Sequence, residues 1–147
     1  MLFFIRSVFA AVVLFAIVVM VVESTPTPEK TKNMENKNIC GKLLRTPAND
    51  LELYLQSEYP EKHDTFCFVR CLAILSATYD DETGVNLAKL YESLGKGMTE
   101  QEFTEQASTC LAEKEGEPEE TCYCRKAWKP ISCIHKQYHD RKNSATA

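Results

Sequence analysis

The chain has 147 residues, a formal charge of −4 and 44% hydrophobic residues, enough for one domain with a modest core. Its mild acidity argues against a nucleic-acid or anionic-membrane partner, which would be held by a basic patch. No Asn-X-Ser/Thr triplet is present, so no N-glycan is expected.

The first residues, Met-Leu-Phe-Phe-Ile-Arg6, lead into an unbroken apolar run from Val8 to Val22. That run is shorter than the roughly 20 apolar residues a bilayer span needs. With one early basic residue and the small Val22 and Ser24 at the −3 and −1 positions, residues 1–24 read as a secretory signal cleaved after Ser24. No membrane span is then expected in the mature chain. Residues 25–38 are polar, with two prolines and no apolar periodicity, and predict a disordered leader. A helical domain is expected over 39–140, followed by a polar tail at 141–147.

Within the domain the punctuation is helical. Asn49 or Asp50 can cap a short helix carrying Leu51, Leu53, Tyr54 and Leu55, which Pro60 ends. Asp64 can cap a second, from Thr65 to about Tyr79. It is apolar almost all round (Phe66, Phe68, Val69, Leu72, Ala73, Ile74, Leu75), the pattern of a buried central helix. The stretch Asp80-Asp81-Glu82-Thr83-Gly84 breaks it. Leu87, Leu90, Tyr91 and Leu94 form an amphipathic stripe that Gly95 and Gly97 terminate. Thr99 and Glu102 make a capping box, and Phe103, Ala107, Cys110 and Leu111 follow on one face. After an acidic turn at 113–120, a last helical region runs from Glu119 to about Asp140, bent at Pro130. Nothing alternates with period two and no hairpin turn signal appears, so the fold class is all-α, with five to seven helices.

Seven cysteines lie beyond the signal: Cys40, Cys67, Cys71, Cys110, Cys122, Cys124 and Cys133. In an oxidising compartment they form disulfides, and an odd count leaves one over. Cys67 and Cys71, four apart, share one face of the central helix, and each can staple it to a different neighbour. Leaving Cys122 aside, the gaps between successive cysteines are 26, 3, 38, 13 and 8 residues. This pattern resembles the six-cysteine signature of insect odorant-binding and pheromone-binding proteins, in which the three- and eight-residue gaps are diagnostic. The acidic, Gly-containing turn at 80–84 and the segment Cys124-Arg-Lys-Ala127 are similar to that family as well.

The resemblance implies a compact, disulfide-stapled bundle of about six helices around an apolar cavity. It implies the pairing Cys40–Cys71, Cys67–Cys124 and Cys110–Cys133. It also implies non-covalent carriage of a small hydrophobic molecule, with no cofactor and no catalysis. The apolar stripes then offer Phe68, Leu72, Leu75, Leu87, Leu90, Leu94, Phe103, Trp128 and Ile131 as cavity-lining residues, against the plain alternative that each is ordinary core. Cys122 fits no part of the pattern. Two positions before Cys124 on a helix it faces another way, either as a lone thiol or as a bridge to a second copy. A receptor is a further conceivable partner.

Other chemistry is weaker. Cys122, Cys124, Cys133, His135 and His139 are zinc-type ligands, but secreted thiols are oxidised. His63-Asp64 and Cys122-Tyr-Cys124 echo a secreted phospholipase A2, without its Cys-Cys pair or its Gly-rich calcium loop. His63, His135 and His139 have the pKa range of a pH switch, and their plainer reading is solvated surface. Two alternative functions stay open. One is a salivary or haemolymph scavenger of amines or lipids on the same scaffold. The other is a protein-interaction effector marked by an exposed apolar patch.

Overall fold

The computed structural model describes residues 28–112 and 121–144. The expected signal at 1–24, the start of the leader, the acidic turn at 113–120 and the last three residues lie outside them. The described elements are helices α1 (Pro28–Leu43), α2 (Ala48–Leu55) and α3 (His63–Leu75), strands β1 (Tyr79–Asp80) and β2 (Gly84–Val85), and helices α4 (Leu87–Leu94), α5 (Glu100–Ala112) and α6 (Tyr123–Ser144). The fold is all-α, and residues from Met34 onward form one compact unit.

Helix α1 corrects the expectation of a disordered leader, because residues 28–38 are helical. Its buried side consists of Asn36, Lys37, Cys40 and Gly41, and hydropathy assigns the first two of these to solvent. The Asn36 amide donates to the Ser76 hydroxyl (3.3 Å), and Cys40 is covalently tied to α3. Tertiary partners therefore stabilise a segment whose local pattern is weak.

The helix ends follow backbone geometry more than the expected caps. Pro47 occupies the N-cap of α2 and Lys62 that of α3, neither making a side-chain cap, so Asn49, Asp50 and Asp64 do not serve as caps. Helix α3 stops at Leu75, four residues early, because Ala77 turns left-handed (φ 55°). The Thr99–Glu102 capping box forms as read: the Glu102 carboxylate accepts from the Thr99 N–H (2.8 Å), and the Thr99 hydroxyl accepts from the Glu102 N–H (3.3 Å).

The 80–84 stretch does more than break a helix. It is the turn of a two-residue antiparallel ladder, with Tyr79 opposite Val85 and Asp80 opposite Gly84. The Asp80 carboxylate accepts from the backbone N–H groups of Glu82 (2.9 Å) and Thr83 (3.0 Å), and Gly84 takes the φ of +81° that the turn requires. Asp81 forms a two-pronged ion pair with Arg70 of α3, its Oδ1 2.9 Å from Nε. Helix α6 continues through Pro130 to Ser144, so the tail expected at 141–147 is helical over its first four residues.

Three small apolar clusters replace a single core. Cys40, Tyr54 and Phe68 join α1, α2 and α3. Val69, Ala73, Tyr79, Ala127 and Ile131 join α3, β1 and α6. Leu90, Phe103, Ala107, Cys110 and Ile134 join α4, α5 and α6. Tyr59 packs against the first two clusters, and Val85 against the last two. Disulfides Cys40–Cys71, Cys67–Cys124 and Cys110–Cys133 staple the same helix pairs, with Cα separations of 5.9, 4.5 and 5.8 Å.

Candidate ligand site

Helix α3 is the hub. The Cys40–Cys71 bridge and the Asn36–Ser76 hydrogen bond make α1 run antiparallel to it. The Cys67–Cys124 bridge, followed by the packing of Val69 and Ala73 against Ala127 and Ile131, makes α6 run parallel to it. Met34 and Lys37 of α1, Leu72 and Leu75 of α3, and His135 of α6 therefore lie toward the same, C-terminal end of α3. There Met34, Ile74 and Leu75 stay exposed, Leu75 by 39%.

Polar groups converge at this end. Lys37 is 4% exposed. Its ammonium donates to the Leu55 carbonyl (3.3 Å) and the Ser57 hydroxyl (2.8 Å), and lies 5.8 Å from the centre of the Tyr59 ring. Burial lowers its pKa. Burial likewise pushes the Tyr59 phenol up to about 12, tempered by its hydrogen bond with Ser57. Desolvation, then the neighbouring His139 and Lys37, push the His135 imidazole down to about 4. His135 is half-buried, which corrects its reading as a solvated surface group, while His139 is exposed. Apolar walls with a few convergent polar groups are the usual make-up of a small-molecule site.

A half-open cleft of about 210 Å³ that includes open solvent lies elsewhere, between α5 and α6. Phe103, Ala107 and Ile134 contribute apolar surface, and Gln106, Gln137, Tyr138 and Arg141 complete the lining. Gln137 donates to the Thr109 hydroxyl (3.2 Å), and the Arg141 guanidinium reaches the Met98 sulfur and the Tyr138 ring.

The nine sequence candidates fall into separate groups. Phe68 is fully buried, tilted against Tyr54 at a centroid distance of 4.3 Å, with Leu72 half-buried beside it. Leu87, Leu90, Leu94 and Phe103 gather in the α4–α5–α6 cluster. Ile131 is buried in the α3–α6 cluster. Trp128 packs against that cluster half-buried, its ring 5.0 Å from that of Phe66. Leu75 joins none of the clusters. Of the polar groups at the end of α3, the sequence singled out only His135, as a zinc-type ligand and a pH-switch residue; Lys37 and Tyr59 escaped notice, since a lysine in a polar stretch and a tyrosine before a proline carry no periodic signal.

Cys122 takes part in none of the three disulfides and is half-buried. Its sulfur lies 3.7 Å from His63 Nε2, while His63 Nδ1 is 4.0 Å from the sulfur of Cys67. Cys124 and Cys133 are oxidised into separate bridges, so they cannot join Cys122 as zinc thiolates.

Known proteins place this architecture. Odorant-binding protein 22 of Aedes aegypti is 24% identical over 97 residues, 66% of this chain and 67% of that protein. General odorant-binding protein 99a of Drosophila melanogaster is 24% identical over 98 residues, 67% and 68% of the two chains. The crystal structure of Anopheles gambiae odorant-binding protein 22a superposes with a TM-score of 0.63 at 27% identity, covering 71% of this chain and 97% of that one. The Anopheles gambiae protein with bound odorant cyclohexanone gives the same TM-score at 28% identity, covering 75% and 94%. The PBP/GOBP family model matches residues 23–137. With that match over most of its length and with the helical, three-disulfide architecture above, the chain belongs to the PBP/GOBP family.

Proposed function

We propose that this protein is a secreted, extracellular carrier that takes up a small hydrophobic molecule between its helices, non-covalently and without chemical change. The observation that carries the reading is the similar Anopheles gambiae structure that holds cyclohexanone. The signal-like start of the sequence and the three disulfides support secretion. Among the described residues, no helix is long and apolar enough to cross a membrane. Removal of ligand apolar surface from water supplies the affinity.

Displacement of a fluorescent apolar probe from the refolded protein by odorants, fatty acids and amines tests the reading. Probe binding with displacement by some of these ligands is expected, and no binding at any pH from about 5 to 8, the range in which histidines titrate, overturns it. Trp128→Ala lowers probe affinity by roughly 1–3 kcal/mol if the indole lines the pocket; unchanged affinity returns Trp128 to plain core. One observation favours the second reading, an interaction effector: Met34, Ile39, Leu43 and Leu44 are exposed in and just after α1, Leu43 by 69%. Failure of every probe would favour that reading.

A further inference from the structure

Lys37 is an anomaly for an apolar carrier. Burying an ammonium is costly unless an opposite charge accompanies it. Among the described residues no carboxylate lies within ion-pair distance of Lys37. Its hydrogen-bond partners are neutral: a carbonyl at the C-terminal end of α2 and the Ser57 hydroxyl. The helix end offers a fraction of a negative charge, which leaves most of the ammonium charge uncompensated. Across from Lys37, on α6, is His135, an imidazole that the same burial keeps neutral at neutral pH, so it neither repels nor balances an incoming anion strongly. The exposed apolar side chains Met34 and Leu75 lie toward the same end of α3.

From this juxtaposition we infer that Lys37 receives the anionic head of an amphipathic ligand, so that the preferred cargo is a lipophile carrying a carboxylate. The acid end pairs with the Lys37 ammonium, Ser57 and Tyr59 provide hydroxyls beside it, and the hydrocarbon lies along the apolar wall. The inference rests on the carrier reading above and narrows it from small hydrophobic molecules in general to acids.

The test compares displacement of one apolar probe at neutral pH by a straight-chain carboxylic acid and by its methyl ester, primary alcohol and primary amine of the same chain length. The acid is expected to displace at least about tenfold better than the ester or alcohol, the scale of one charge-assisted hydrogen bond, and the amine worst. Lys37→Met should erase the acid's advantage while leaving ester affinity within about twofold, and Lys37→Arg should retain it. Equal affinity for acid and ester, or an advantage that survives Lys37→Met, overturns the inference and leaves the carrier reading standing. Displacement by none of the four ends both. Should Lys37→Met fail to fold, the unaltered protein still decides. The bound acid's ¹³C-labelled carboxyl should titrate below its value in water if an ammonium faces it, and above if it meets only apolar surface; the latter overturns the inference.

Discussion

His135 and Tyr79 show how single buried groups set measurable properties here. The His135 imidazole is held at about 4, against an ordinary value near 6.5, by desolvation first and by His139 and Lys37 second. Between those values the unfolded chain takes up a proton that the folded chain refuses. Stability is therefore full above about pH 6.5, falls as pH drops, and levels off below about pH 4. The loss is at most about 3 kcal/mol, and His135→Gln should flatten that part of the curve in urea unfolding at stepped pH. Tyr79 is buried with a hydroxyl that finds no hydrogen-bond partner among the described residues. Deleting a buried, unsatisfied hydroxyl removes its desolvation cost, so Tyr79→Phe should leave stability unchanged or raise it by up to about 1 kcal/mol. A loss above that size in thermal unfolding would mean the hydroxyl is satisfied in solution.

The helices differ in how far their sequences announced them. Thr99 and Glu102 identify the start of α5 because a capping box is a local chemical fit that needs nothing from the rest of the chain. Thr99→Ala is expected to cost about 1 kcal/mol of stability, read as a shift in denaturation midpoint at constant slope; no shift would mean that tertiary packing alone holds α5. Helix α1 was illegible for the opposite reason. Its inward side is Asn36, Lys37 and Cys40, and only Ser76, Ser57 and Cys71 on other elements explain why those side chains are inside. The β1–β2 ladder is too short for two-residue periodicity to register, and its turn is specified by one aspartate and one glycine.

For the molecule as a whole, cysteine spacing carried most of the legible information. The three pairs in the structure are those the family resemblance implied. The candidate ligand site was legible only in part. Apolar stripes mark core and cavity alike, and they distributed Phe68, Leu90 and Ile131 to three different clusters. The polar residues at the end of α3 depend on long-range placement that no local pattern encodes. With so little core in each cluster, the bridges matter more than in a larger domain. Replacing Cys40 and Cys71 together by serine should cost about 2–4 kcal/mol and increase amide exchange in α1 before the other helices. Uniform exchange across all helices would show that α1 is not held separately.

The bridges also determine what happens when the backbone is cut. The loops 40–71, 67–124 and 110–133 overlap like links of a chain. At every peptide bond between Cys40 and Cys133, at least one disulfide spans the break. A single nick by a protease in that span therefore leaves one covalent molecule with its helices still tethered, and fragments separate only after a reductant has acted as well.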